Sequence, residues 1–197
     1  MASRSPPVPV TGFARCCHTD AVTPQPIDPD TKDWTWVLSR PCPDCGFDAA
    51  SVHHSQVADH IRNDAGGWVS RLNQPGVRIR PQPTEWSTLE YGCHVRDVHR
   101  IFNHRIRLML TEDEPQFPNW DQDATAIADG YASRDPATVA TELFDAASIV
   151  ADTYANVPAD AWTRRGLRSN GSEFTIATIS IYHLHDIVHH AYDVRNA

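Results

Sequence analysis

Apolar residues recur along the chain at helical rather than strand spacing. Between about Asp48 and Asn73, Val57, Ile61, Trp68 and Leu72 form a stripe at spacings of four and seven, the pattern of an amphipathic helix. Gly66 and Gly67 interrupt it, each weakening a helix by roughly 1 kcal/mol relative to Ala. Pro81 and Pro83 forbid helix until Thr84, which with Ser87 supplies the N-cap region of the next one. That second helix, about Thr84 to Leu110, is the strongest periodic segment, with Tyr91, His94, Val98, Ile101, Phe102, Leu108 and Met109 on one face. A third helical region runs from about Ala124 to Val157 and breaks near Arg134-Asp135-Pro136. Asp135 caps its second half, Pro136 stands at the first helical position, and Val139, Leu143, Ala147, Val150 and Tyr154 form its face. The polar stretch PADAWTRRGLRSNGSEF reads as a loop leading into a last helix, about Thr175 to Val194. Four long helices without alternating strand runs predict an all-α, up-down four-helix bundle over residues 48–197. Residues 1–47 form an irregular extension: a proline-rich arm to residue 31, then KDWTWVLSRPCPDCGF as a short extended segment docking on the body.

The polar residues inside these apolar stripes carry the chemistry. His94 lies within the stripe of the second helix, whereas His99 and His104 are rotated away from it. Four histidines fall between residues 183 and 190. His185 shares a face with Ile181, Val188 and Tyr192, and His189 lies one turn beyond it, so the pair can converge on one ion. His183 and His190 stand on another face, where His190 can pair with Asp186, and are weaker candidates. Three imidazoles in a bundle interior are costly without partners, and a shared cation removes that cost. Neutral imidazoles suit Zn²⁺, Ni²⁺ or Fe²⁺, and three protein ligands leave positions open for water or substrate. An H-x-x-x-H spacing also arises by chance in a chain with eleven histidines.

Composition narrows the partners. A formal charge of -8 without a Lys/Arg-rich tract argues against nucleic acid, and there is no polybasic membrane patch. Neither a signal-peptide apolar run nor a membrane-length apolar stretch occurs, so a cytoplasmic protein is expected. In that compartment Cys16, Cys17, Cys42, Cys45 and Cys93 are thiols or metal ligands rather than a disulfide framework. Sixteen arginines against Lys32 alone, with abundant Ala and Asp, point to a GC-rich and conceivably actinobacterial genome.

YGCHVRDVHRIF around His94 and YHLHDIVHHAYDV near the end of the chain resemble the DinB-like metal-binding four-helix family, which includes mycothiol-dependent maleylpyruvate isomerases and bacillithiol S-transferases. The resemblance covers roughly residues 48–197. It implies a divalent metal, commonly zinc or nickel, held by one histidine of the second helix and two ligands four apart on the last. The matching positions are His94, His185 and His189. The mycothiol isomerase pattern has a carboxylate first on the last helix; His185 at that place favours the three-histidine branch. The additional C-terminal domain of those isomerases has no expected counterpart, which argues against that one reaction. The resemblance further implies that the cation binds a low-molecular-weight thiol, lowers its pKa and presents it to an electrophile. A thiol-dependent S-transferase or isomerase is therefore expected, with mycothiol as the thiol, a small electrophilic substrate and a homodimeric assembly. A noncatalytic metal-binding or stress-response bundle and a metal-dependent hydrolase are the alternatives.

Asp97, one turn after His94, is the candidate to orient a ligand imidazole or accept a proton, although a helical Asp is more often simply solvated. Arg165, Arg168, Ser169 and Asn170 lie in the loop entering the last helix and are candidates to hold an anionic thiol or substrate carboxylate. Asn119 and Trp120 are candidates to cap the pocket. CPDCG resembles half of a zinc ribbon, so Cys42 and Cys45 are candidates for a second, structural zinc completed by Cys16, Cys17 and His18. A reduced turn packed on the bundle and a redox dithiol are its alternatives. Cys93, about 100° around the helix from His94, need not touch the metal.

Overall fold

The computed structural model describes residue 27 and residues 32–195. The described chain is mostly helical, with α1 (Val57–Leu72), α2 (Thr88–Thr111), α3 (Gln122–Ala128), α4 (Pro136–Ala155) and α5 (Ile176–Asp193). The four long helices form the expected bundle. Local caps set their ends. Ser87 accepts from the Glu90 amide while Glu90 reaches back to the Ser87 amide, so α2 starts four residues later than Thr84. Asp135 caps α4 with Pro136 in its first turn, as read from the sequence. Before α1 the chain makes two short 3₁₀ turns, Ala49–Ser51 and His54–Gln56. Asp48 caps the first and a His53/Gln56 capping box the second, so the helix begins at Val57 rather than Asp48.

Around the bundle, α4 packs against both α1 and α2, and α5 packs against the same two from the other side. The consecutive pairs α1/α2 and α4/α5 therefore sit mainly across diagonals. Gly92 lets α2 approach the end of α1, because a Cβ there would stand 2.8 Å from Leu72 Cδ2. With neighbours on so many sides, α2 is buried continuously from Gly92 to His99 and α5 from Ile179 to His185. No helix among the described residues is long and apolar enough to cross a membrane.

Two stretches read as loops contribute a small sheet: β1 (Gln116–Phe117), β2 (Arg165–Arg168) and β3 (Glu173–Thr175), in the order β1-β2-β3. β1 runs parallel to β2, with Gln116 opposite Leu167, and β2 antiparallel to β3, with Arg165 opposite Thr175. The sheet packs on the end of α2, where a Cβ at Gly166 would stand 2.8 Å from Met109 and Phe117. Its functional role is to set the register of α5. Thr175 caps that helix, and the Ile176 and Ala177 amides donate to Arg164 and Trp162 carbonyls, both at 3.0 Å.

The segment before α1 shares the core: Val37, Cys42 and Phe47 are buried in the same cluster as the helices. A 3₁₀ turn, Trp34–Leu38, capped by Asp33, replaces the expected extended strand and packs against α5.

Candidate metal centre

Residues one apart on a helix point about 100° apart, so α5 presents different ligand pairs to different neighbours. Asp186 and His190 face α2 and meet His94, with one ligand atom of each residue within 4.8 Å of the others. The geometry is convergent. His94 Nε2 lies 3.6 Å from Asp186 Oδ1, and His190 Nε2 lies 3.5 Å from the same oxygen. These separations are too long for good hydrogen bonds. They match two donors sharing one ion, since ligands about 2.1 Å from a common centre at roughly 90–110° are about 3.0–3.5 Å apart.

Three features of these side chains fit a divalent cation. His94 is fully buried, and neither ring nitrogen has a hydrogen-bond partner among the described residues, nor does Asp186 Oδ1. Buried polar atoms left unpaired are costly, and a cation would satisfy them together. Second, protonation matches ligation. Burial lowers the His94 pKa and favours the neutral ring that ligation needs, while the Asp186 carboxyl, which burial would raise, is held below the usual carboxylate range by its contact with His94. Third, His190 Nδ1 lies 3.0 Å from Asp193 Oδ2. That carboxylate fixes the tautomer in which Nδ1 carries the proton and the Nε2 lone pair faces Asp186. Trp120 stacks on the His94 ring at 5.1 Å and Trp86 packs beside it at 5.2 Å, locking its orientation.

Asp186 and His190 open onto a cavity of about 330 Å³ lined by Trp34, Trp86, Tyr91 and Tyr182, by the carboxylates of Glu85, Asp123 and Asp193, and by His185 and His189, with His94 buried behind them. None of the described residues lining it is Lys or Arg. Buried ligands from two helices beneath an aromatic cavity agree with the sequence comparison, in which a model of the DinB superfamily matches residues 57–192. The chain belongs to the DinB superfamily. Among solved structures it resembles YfiT from Bacillus subtilis, described as a probable metal-dependent hydrolase with an unusual four-helix bundle topology. The TM-score is 0.60 at 17% identity, over 71% of this chain and 81% of that one. At that identity the likeness is one of fold. No curated protein matches the chain.

In this DinB-superfamily protein the three-histidine set expected from the sequence is divided. His94 stands with Asp186 and His190, whereas His185 and His189 stand with Cys42 and Cys45 in a second group, again within 4.8 Å of one another. The physical reason is a rotation by one residue. The face of α5 turned to α2 is that of Asp186 and His190, and the neighbouring face is covered by the segment before α1. Trp34 packs against the His185 and His189 rings at 5.7 and 5.0 Å, and Phe47 against His185 at 5.5 Å. Burial lowers His185 to about 4 and pushes the Cys45 thiol, beside Cys42, up to about 11.

The other candidates are placed as follows. Asp97 faces away from the cavity. One oxygen accepts from Arg96 and Arg100, and the other from Arg96 and from the Tyr131 hydroxyl at 2.6 Å. With four donors on it, Asp97 ties α2 to the Tyr131–Ser133 turn, makes no hydrogen bond to His94 and does not line the cavity. Arg165 pairs with Glu173 and Glu114 on the sheet surface. Arg168 donates to Asn170 and Ser172 and lies over the Phe174 and Tyr182 rings. Arg165, Arg168 and Asn170 do not line the cavity; they brace the β2–β3 hairpin. The Asn119 amide donates to Ser169 Oγ at 2.8 Å, and Trp120 covers His94. The readings of Cys16, Cys17 and His18 lie outside the described residues.

Sequence reasoning rotated His99 away from the apolar stripe and held His183 a weaker ligand candidate, yet both are fully buried. His99 Nδ1 meets His183 Nε2 at 3.0 Å, and His183 Nδ1 meets the Tyr154 hydroxyl at 3.1 Å. Each imidazole pairs one nitrogen with the other, and only His99 Nε2 of this pair, against both nitrogens of His94, is left without a partner among the described residues. Asp186 and Asp193 were also missed as site residues. Their signal was the four- and three-residue spacing to His190, which places each within reach of that ring.

Proposed function

We propose that this protein is a divalent-metal-dependent enzyme whose cation is held by His94, Asp186 and His190, and that it activates a low-molecular-weight thiol of the mycothiol type for transfer to an electrophile. The observation carrying the reading is the convergence of two imidazoles, that of His94 fully buried, on one carboxylate, with buried atoms of His94 and Asp186 lacking hydrogen-bond partners, at the edge of a cavity. Two histidines and one carboxylate leave coordination positions for other ligands. A bound cation would supply Lewis acidity, lowering the pKa of a nucleophile at the site.

The order of ligands supports a thiol. The group on α5 is carboxylate first and histidine four residues later, the order of the mycothiol isomerase pattern rather than of the three-histidine branch. The cavity wall supports the same class, since aromatic faces and carboxylates, without Lys or Arg among the described lining residues, suit a neutral thiol rich in hydroxyl groups better than an anionic one. In the transfer the thiol gives up its proton, sulfur bonds to the electrophilic carbon, and the leaving group departs with its bonding pair. Glu85 and Asp123 offer carboxylates that can take the proton, Trp86 and Trp120 hold His94 in place, and Asp193 holds His190.

Hydrolysis is the second reading, favoured by the fold shared with YfiT, because the same ligands could serve an ionised water. The test is turnover of an electrophilic aryl halide and of an activated ester by the metal-loaded protein, with and without mycothiol. Halide turnover that requires mycothiol and is lost in His94→Ala supports the thiol reading. Ester turnover without thiol, lost in the same variant, transfers the assignment to the hydrolase. Wild-type protein that binds no cation after reconstitution overturns both.

A further inference from the structure

We propose that Cys42, Cys45, His185 and His189 form a second, closed metal site that holds a structural zinc ion and fastens the segment before α1 to α5. It does not depend on the function proposed for the first site. One donor atom from each of the four residues lies within 4.8 Å of the other three. Cys42 Sγ stands 3.6 Å from His189 Nδ1. A sulfur at about 2.3 Å and a nitrogen at about 2.1 Å from one tetrahedral ion are about 3.6 Å apart. His185 Nε2 is buried without a hydrogen-bond partner, so this group too contains an atom that a cation would satisfy.

The local backbone is built for such a site. The Gly46 amide donates to the Cys42 carbonyl at 2.9 Å and the Cys42 amide to the Phe47 carbonyl at 2.8 Å, closing the turn, with Gly46 at φ +74° where a side chain is disfavoured. The spacing C-x-x-C in a tight turn and H-x-x-x-H on a helix is that of two-cysteine, two-histidine zinc sites, whose four protein ligands leave no open position. Softness of the donors selects zinc over the harder divalent ions. Trp34, Trp36 and Phe47 belong to the fastened segment, and Trp34 both packs on His189 and lines the cavity. His185 and His189 border the same cavity, so the ion would hold one of its walls.

Cobalt substitution of the full-length protein tests this, because thiolate ligation gives a sulfur-to-cobalt charge-transfer band that the His94 site cannot produce. Wild type should bind two equivalents with that band present. Cys45→Ser should lose one equivalent and the band, and His94→Ala should lose one equivalent and keep it. Should Cys45→Ser fail to fold, wild type answers alone: mercurial titration of the zinc protein should release one zinc as the two thiols are modified. Absence of the band in cobalt-loaded wild type, or a Cys42–Cys45 disulfide in protein purified under reducing conditions, overturns the proposal. Modification of Cys42 and Cys45, located by peptide mapping among the five cysteines, without release of zinc also overturns it.

Discussion

The two ligand pairs of α5 are built from the same helix, one residue out of phase, and differ in the partners they meet. Asp186 and His190 meet one histidine from α2; His185 and His189, which border the same cavity, meet two cysteines of a tight turn and pack under Trp34 and Phe47. The first set offers three donors including a carboxylate, and the second four donors including two sulfurs. Donor count and cover separate an open centre from a closed one more reliably than the presence of histidines. Between them stands Asp193, with one oxygen 3.0 Å from His190 Nδ1 and the other 3.8 Å from His189 Nε2.

The comparison breaks most visibly at the closed set. If it holds zinc, Cys42→Ser should lower stability by about 4 kcal/mol where free zinc stands 1,000-fold above its dissociation constant. Urea unfolding with and without chelator measures this, and equal midpoints in wild type would refute it. At the open set, Asp186→Ala should cost more activity than the roughly 10–100-fold typical of losing an outer-shell partner, with a far smaller change in unfolding midpoint. A variant that unfolds without first losing turnover would show the roles reversed. Asp193→Ala sharpens the contrast: affinity at the His94 centre should fall about 10–100-fold, and the cysteine centre should change less, in line with its longer contact. Competition with a chromophoric chelator reads both constants.

The smallest effect comes from the histidines that pair with each other. Burial holds His99 down at about 3, so between there and 6.5 the unfolded chain takes up a proton that the folded chain refuses. Its contribution is complete above the unfolded value and is lost as pH falls, by about 1.4 kcal/mol between pH 7.5 and 5.5. Denaturation at both pH values should show this loss in wild type and less of it in His99→Leu. Identical losses would place the titrating groups elsewhere.

Much of the fold was legible because caps and apolar stripes agree at α2, α4 and α5. The sheet was not, since strands of two to four residues carry no period. The site was half legible for a related reason. Periodicity singles out a buried face only when a helix has an exposed one, and α5 is buried on nearly every side from Ile179 to His185. His185/His189 and Asp186/His190 share a four-residue spacing, and only the packing of α2 and of the CPDCG turn decides which pair meets His94. Asp97 followed His94 by three residues and looked like its partner, but Arg96, buried beside it, claims both of its oxygens.

The placement of ligands along the chain also sets an order of events at the ribosome. Cys45 leaves about 140 residues ahead of His185, an interval of about 7–28 s at synthesis rates of 5–20 residues per second. During that interval the cysteine pair has no histidines to share a cation with, and His94 has neither Asp186 nor His190. If both sets hold ions, neither can close before the same two turns of α5 emerge, and a nascent chain stalled before residue 185 lacks ligands of both sets.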